Sequence, residues 1–291
     1  MKMPYTQDSN WFKFILQREN YYFPGMMVSM VTMGVITASL VYIHQTYNVL
    51  NITLPSSFQT VLGLVVGLLL VFRTNTAYDR WWEGRKQLGA LVNTTRDMAI
   101  KYNTFVDSEQ YDKIGLMQDM ISAYVYALKM HLREQDYSEA EKYIPEELRE
   151  RFLASVHKPN FLLTELGKHS IILLRKDIIT GYQLRILDEQ LTALINIQGA
   201  CERIRNTPIP MGYGLHLKRI LFVYISITPI GFINELNYLA VPIVMIIFYV
   251  MVGIELIGEE IEDPFGTDPN DLPFDELHEK IAENVNEIAH M

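Results

Sequence analysis

The sequence predicts an all-α integral membrane protein, with four transmembrane helices in two hairpins and a helical cytoplasmic domain between the hairpins. First, 49% of the 291 residues are hydrophobic and only 20% are charged. Second, residues 20–72 contain no Asp, Glu, Lys or Arg, and another mainly apolar stretch covers residues 217–254. Third, the charged region between these stretches has the periodicity of amphipathic helices.

Four segments have the composition of bilayer-spanning helices, which need about 20 mainly apolar residues. They are residues 24–43 and 56–72 in the first hairpin, and residues 217–233 and 240–254 in the second. Short polar loops at residues 44–55 and 234–238 would connect them.

Lysine and arginine predict the orientation of these segments. Arg73 and Arg80 follow the second segment, and Arg203, Lys218 and Arg219 surround the start of the third, whereas neither connecting loop contains Lys or Arg. Cytoplasmic flanks of membrane helices are enriched in these residues. We therefore expect a multi-pass protein of the cell membrane, which is the inner membrane in a Gram-negative bacterium, with both termini cytoplasmic.

This topology divides the chain into four parts. They are an N-terminal segment with the first hairpin (1–72), a cytoplasmic helical domain (73–216), the second hairpin (217–254) and an acidic cytoplasmic C-terminal segment (255–291). The last part holds twelve acidic residues and one basic residue, a charge of −11, whereas the whole chain carries −9. The other three parts together carry +2, so the acidity is local.

The cytoplasmic domain is expected to contain about five helices. Residues 74–106 contain no Pro, so the second transmembrane helix should continue without a break into the first of them. Two residue pairs further along, Asp107 with Gln110 and Ser138 with Glu141, have the spacing of capping boxes and predict helix starts.

We expect neither an enzyme nor a cofactor. His278-Glu279 begins like a zinc-protease signature, but Ala282 occupies the position of the second histidine. No group of Cys and His has the spacing typical of metal ligands. Cys201 is the only cysteine, which excludes an intrachain disulfide, and we interpret it as a small buried residue of a helix.

The second predicted span carries two stripes. Leu64, Leu68 and Phe72 recur every fourth residue and so share one slowly drifting face. Gly63 and Gly67 form a neighbouring small-residue stripe that lets another helix approach closely. An apolar stripe on a membrane helix usually faces lipid or a neighbour, but copies arranged around an axis would form a hydrophobic constriction, which gates ions by dewetting.

Two polar motifs adjoin the spans. Arg80-Trp81-Trp82 has the composition of an interfacial anchor, with Trp at headgroup depth. The acidic stretch after the fourth span, at residues 255–266, is most simply a solvated helix end, although its carboxylates could ligate a hard cation.

These motifs together resemble the bestrophin family in its compact prokaryote-like form. Residues 72–85, Phe-Arg-Thr-Asn-Thr-Ala-Tyr-Asp-Arg-Trp-Trp-Glu-Gly-Arg, contain the family's Arg-Trp-Trp at Arg80, Trp81 and Trp82. The family's Pro-Phe-Gly recurs at residues 264–266, and its Ile-Pro at residues 209–210 precedes the third span. The resemblance covers essentially the whole chain.

The resemblance implies a homopentameric ion channel with one central pore and a cytoplasmic vestibule built from the middle domain. Counted from the Arg-Trp-Trp motif, the family's hydrophobic neck falls on Leu64, Leu68 and Phe72. Its cytoplasmic aperture falls near Leu191, with Leu194 and Ile195 one turn away. The implied partners are other copies of the chain, monovalent ions and membrane lipid, with no nucleic acid.

The sequence departs from the family's animal members after Pro-Phe-Gly. Their unbroken acidic run clasps Ca²⁺, whereas here Pro269 interrupts it between Asp268 and Asp271. We therefore expect no tight calcium site at these two residues. The resemblance does not decide whether the permeant ion is chloride or a cation such as sodium or potassium. Animal members are anion channels, whereas prokaryotic ones are associated with monovalent cations.

Two other classes of protein compete with a channel. A secondary transporter would have broken helices and ionisable groups at mid-membrane depth, but the predicted spans have no charge there and only Pro229 could break one of them. A membrane-anchored scaffold, whose cytoplasmic helices bind another protein, is the third hypothesis.

Overall fold

The computed structural model describes residues 23–48, 55–106 and 111–290. These residues contain α-helices, one short 3₁₀ helix and no strand. The helices are α1 (Phe23–Tyr47), α2 (Ser56–Phe105), α3 (Tyr111–Leu132), α4 (Ala140–Tyr143), α5 (Glu146–Ala154), α6 (Lys158–Arg175), α7 (Gly181–Asn206), α8 (Met211–Leu236), the 3₁₀ helix (Asn237–Leu239), α9 (Ala240–Glu262) and α10 (Phe274–Ala289). The all-α prediction is confirmed for the described residues.

Helix α2 runs from Ser56 to Phe105 without interruption, as its lack of proline predicted. Gly84 and Gly89 lie in its middle, and each costs about 1 kcal/mol relative to alanine in a helix. Gly84 lies in a tightly packed part of the second unit. An added Cβ would lie 3.1–3.3 Å from side-chain atoms of Leu272, Pro264 and Phe265, tighter than ordinary van der Waals contact.

The chain divides into two compact units, and α2 contributes to both of them. The first unit contains residues up to Trp81, Pro208–Asp263 and Thr267–Asp271. In it, α9 packs against α1 and α8. Its buried apolar cluster joins α2 to α8 and consists of Val66, Leu70, Leu217, Leu221, Tyr224 and Ile225.

Three stretches are long and apolar enough to cross a membrane: Pro24–Tyr47, Ser57–Phe105 and Met211–Glu262. The third contains both α8 and α9. The 3₁₀ helix separates them, and α8 and α9 pack against each other. Asn237, between them, has a positive φ of 49°, which is uncommon for a residue other than glycine.

The second unit contains Trp82–Thr207, Pro264–Gly266 and the residues from Leu272 onwards. Its helix α3 packs against α6, α7 and α10. Tyr124 on α3 is fully buried, and its hydroxyl donates to the carbonyl of Leu194 on α7 at 3.1 Å. Cys201 is fully buried on α7, as interpreted from the sequence.

The predicted capping box at Ser138 and Glu141 is wrong. Helix α4 begins at Ala140, and its N-cap Glu139 makes no side-chain capping bond. The Ser138 amide instead donates to Asp136 Oδ1 at 3.3 Å. The pair Asp107 and Gln110 lies outside the described residues.

A complete capping box does occur at α7. Thr180 is the N-cap, and its hydroxyl accepts from the Gln183 amide, while the Gln183 side chain accepts from the Thr180 amide. The sequence carried this signal as Thr-x-x-Gln, which satisfies two backbone donors at the helix start.

Candidate pore-lining site

The structure leaves the predicted neck stripe of α2 largely uncovered by the described part of the chain. Leu64, Leu68 and Phe72 are 73%, 54% and 56% exposed. The opposite side of the same helix, with Val66 and Leu70, is buried against α8. The three apolar side chains are therefore available to a lumen, to lipid or to another copy of the chain.

Close contacts between α2 and α8 fix which side of α2 is uncovered. The Gln59 side chain is buried and donates to the Thr228 carbonyl at 2.9 Å. An added Cβ at Gly231 would lie only 2.2–2.3 Å from the Gln59 carboxamide, so glycine is needed there for the bond to form. This polar contact lies near Pro229, the residue that the sequence offered as a break in the span.

The small-residue stripe of α2 has two different environments. An added Cβ at Gly63 would lie 2.8 Å from the Tyr224 hydroxyl, so Gly63 leaves room for this side chain of α8. At Gly67 an added Cβ would meet no described atom within 4 Å.

The uncovered side of α2 continues beyond the neck with polar residues. Asn75 and Asp79 are both exposed. They follow Leu68 by seven and eleven residues, which places each within about 20° of it around a helix of 3.6 residues per turn. Moving along this side, the surface therefore changes from apolar at Phe72 to anionic at Asp79.

Glu262 connects three segments of the first unit, a role that its place in an acidic run did not reveal. Its Oε2 lies 2.6 Å from Arg73 Nη2, and the Arg73 side chain is nearly buried. Its Oε1 accepts from the Ile209 amide at 2.9 Å, and its carbonyl accepts from Arg80 Nε at 3.1 Å. One residue thus joins the α2 motif, the Ile-Pro segment and the end of α9.

The Arg-Trp-Trp motif makes its polar contacts within the protein. Besides the Arg80 bond, Trp81 Nε1 donates to the Asn270 carbonyl at 2.9 Å. The Trp81 ring stacks with Tyr78 at a centroid distance of 6.2 Å, while Trp82 is exposed. Arg80 and Trp81 therefore hold the segment after α9, a role that the anchor hypothesis did not include.

Pro264, Phe265 and Gly266 form a tight element of the second unit. Phe265 is 1% exposed, and its carbonyl accepts from Arg133 Nε at 3.2 Å. The Pro264 carbonyl accepts from the Leu272 amide at 2.9 Å.

Asp268 and Asp271 close one turn with bonds to each other. Asp271 Oδ2 accepts from the Asp268 amide at 2.7 Å, and the Asp268 carbonyl accepts from the Asp271 amide at 3.0 Å. Burial, together with the nearby acids Asp268, Asp263 and Glu260, raises the pKa of Asp271 to about 7, although the bond from the Asp268 amide opposes the rise. Ca²⁺ takes six to eight oxygen ligands, and this turn already uses Asp271 Oδ2 and the Asp268 carbonyl in its own bonds. The lack of a tight calcium site stays a prediction.

The residues near the expected aperture differ in exposure. Leu191 is half-buried, and its Cδ2 lies 3.2 Å from where a Cβ on Gly167 would be. Leu194 is fully buried, whereas Ile195 is 50% exposed. In the first turn of the same helix, Tyr182 is 86% exposed.

Comparison with known proteins yields one family. The model of the bacterial and fungal bestrophin proteins matches residues 3–287. The chain is 36% identical to a voltage-dependent anion channel-forming protein of Synechocystis sp. over 82% of this chain and 79% of that protein. A protein of the same description from Nostoc sp. is 33% identical over 97% of this chain and 92% of its own length.

The fold matches a solved structure as well. The crystal structure of a bacterial bestrophin homolog from Klebsiella pneumoniae superposes with a TM-score of 0.85 and 26% identity. The match covers 92% of this chain and 99% of that one.

Proposed function

Because the chain belongs to the bacterial and fungal bestrophin family, we propose that it is a membrane ion channel whose pore is lined by α2 helices from several copies. The observation that carries this proposal is the uncovered stripe of Leu64, Leu68 and Phe72. In an assembly around an axis, these side chains would form stacked apolar rings. Ions entering the rings lose water without gaining replacement oxygens, so the rings limit conduction.

The proposed assembly is a homopentamer in which each subunit crosses the bilayer four times. Helices α1, the N-terminal half of α2, α8 and α9 would be the spans, in two hairpins with both termini cytoplasmic. The three apolar stretches, together with the packing of α8 against α9 inside the third, support four crossings. The neck side of α2 and the exposed apolar residues of α1 and α9 would be covered by neighbouring subunits and lipid.

A second constriction is proposed on α7, at the cytoplasmic end of the pore. Leu191 is the position expected from the sequence. Its packing against Gly167 leaves less of the side chain available than at Ile195, which is 50% exposed one turn away and is therefore the alternative position. Alanine substitution at each position would separate them, because only the aperture residue should change the relative permeability of large and small ions.

Anions are the proposed permeant ions, because the relatives from Synechocystis and Nostoc are described as anion channel-forming proteins. One observation favours cations instead: exposed Asp79 follows the neck on the same side of α2. Five such carboxylates would form an anionic ring, and rings of acidic side chains are typical of cation channels.

Reversal potentials in a planar bilayer with asymmetric NaCl would test the function and the ion together. A reversal potential near that of chloride supports an anion channel. A value near that of sodium, moving towards zero in Asp79→Asn, supports the cation alternative. Saturable coupled flux in liposomes would show that the protein is a transporter and not a channel. No flux at all would favour the scaffold hypothesis.

A further inference from the structure

Three side chains that lie far apart in the sequence meet in the second unit. His131 is in the last turn of α3, His157 is the N-cap of α6, and Glu202 lies on α7. The separations of 26 and 45 residues match no sequence signature of a metal site. Their ligand atoms nevertheless lie within 4.8 Å of one another.

We propose that His131, His157 and Glu202 form a binding site for a divalent transition metal ion, with Zn²⁺ as the best-matched ion. Two imidazoles and one carboxylate form a ligand set that zinc uses in sites that keep a fourth position for water. Calcium and magnesium prefer all-oxygen surroundings, so the two histidines select against them. The site is independent of the proposed channel function.

The distances support metal coordination. Glu202 Oε1 lies 3.3 Å from His131 Nε2 and 3.3 Å from His157 Nε2. Zinc bonds of about 2.0–2.1 Å in a tetrahedron place neighbouring ligand atoms about 3.3–3.4 Å apart. Hydrogen bonds between charged N–H and O⁻ groups are shorter, at about 2.7–2.9 Å. The two distances to Glu202 therefore match ligands around one ion better than direct ion pairs, and the ligand atoms of the two histidines lie within 4.8 Å of each other.

A hydrogen-bonded second layer orients the carboxylate. Gln198, one turn before Glu202 on α7, donates to Glu202 Oε1 at 2.9 Å and to Asn160 Oδ1 at 2.7 Å. The Gln198 side chain is 4% exposed, so it holds the carboxylate in place. Metal-ligating carboxylates characteristically have such partners.

The site is accessible to an entering ion. Metal binding would require one local change, at the capping bond of His157. The three side chains are 25–35% exposed. His157 Nδ1 accepts from the Asn160 amide at 3.3 Å, whereas coordination through Nε2 puts the imidazole proton on Nδ1. Zinc would therefore replace this long capping bond, and the ion would connect α3, α6 and α7 directly.

Arg205 lies beside His131 and has its own acidic partner. Arg205 donates to the His131 carbonyl at 3.1 Å and forms an ion pair with Glu134. The bond from Arg205 to the His131 carbonyl also fixes the last turn of α3 against α7. The charge that faces the ion is therefore chiefly that of Glu202.

Zinc titration of the purified full-length protein in detergent, with a chelating dye as competitor, tests the proposal. We expect about one zinc ion per subunit. His131→Gln and Glu202→Gln should each weaken binding at least about 100-fold, because each removes a direct ligand. His169→Gln, on the same helix that His157 caps, is the matched control and should bind like the parent.

Cobalt(II) in the unmodified protein gives a test that requires no variant to fold. A four-coordinate site with two imidazoles should produce intense visible absorption that zinc abolishes. A weak six-coordinate spectrum, the absence of stoichiometric zinc, or unchanged affinity in both ligand variants would overturn the site.

Discussion

His278 is buried on the face of α10 that packs against α3. Its ring lies between Tyr126 and Tyr143, with centroid distances of 5.8 and 4.9 Å. Burial, with a smaller effect of the nearby Lys129 and Lys142, lowers the pKa of His278 to about 4, and the charge of Asp275 opposes this shift. The folded protein therefore keeps this histidine neutral well below the pH at which the unfolded chain protonates it.

We predict that the second unit loses stability as the pH falls from about 6.5 towards 4. In this range the unfolded state binds a proton that the folded state does not, so the free energy of unfolding decreases. Between pH 7 and pH 5 the loss from this residue is about 2 kcal/mol. Thermal unfolding at the two pH values should show less acid destabilisation in His278→Gln than in the parent. His290→Gln, at the exposed end of α10, should show the same acid destabilisation as the parent. Equal acid sensitivity in all three proteins would mean that His278 is not the cause.

Asp268 and Asp271 lead to a prediction about calcium. Their turn is held by bonds within itself, so calcium has few free oxygens to bind. Adding EGTA to bilayer recordings should leave the open probability nearly unchanged. A large reversible loss of current on chelation, absent in Asp268→Ala, would mean that the turn does bind calcium.

Among the elements, α2 was the most predictable and the junction around Glu262 the least. An apolar start, a charged continuation and the lack of proline were sufficient to predict one long helix. Glu262, by contrast, is one of several acids at the end of α9, and nothing local marks it. Its role depends on Arg73 and Ile209, which come from other parts of the chain.

The start of a short helix is also difficult to predict from local sequence. The capping box predicted at Ser138 and Glu141 failed because the Ser138 amide bonds to Asp136 instead. The box at Thr180 and Gln183 had the same kind of signature and does form. Local spacing alone could not distinguish the two cases.

Removing the charge of Glu262 should destabilise the junction of α2 and α9. In Glu262→Gln the nearly buried Arg73 loses its ionic partner, and breaking a buried pair costs about 3–5 kcal/mol. Glu259→Gln is the control one turn away, because its pair with Lys218 is half-exposed and such pairs contribute less than about 1 kcal/mol. Thermal melting and hydrogen exchange at residues 208–213 would measure the difference, and equal melting temperatures would contradict it.

At the scale of the whole molecule, the sequence predicted the family but not the convergence of distant residues. The motifs that carry the resemblance are short and contiguous, so they could be recognised directly. His131, His157 and Glu202 lie on three elements, and only their packing brings them together. The aperture is similarly difficult to assign, because no motif adjoins Leu191.

We predict that five copies assemble. Native mass spectrometry in mild detergent should give a complex of five chains of 33.8 kDa each, 169 kDa in total. Assembly would cover apolar surface that the single chain leaves exposed. A stable monomer or dimer as the dominant species would exclude a central pore of this type.

The central claim is that the α2 stripe forms the narrow part of a pore, and Leu68 tests it most directly. Three rings four residues apart span about 12 Å of apolar wall, and Leu68 is the middle one. Single-channel current of Leu68→Ala should increase several-fold with the oligomer yield unchanged, because a wider ring wets more easily. Val65→Ala is the matched control: it is also exposed, at 45%, but lies about 60° away around the helix. Parental current in Leu68→Ala together with an enlarged current in Val65→Ala would place the pore on a different side of α2.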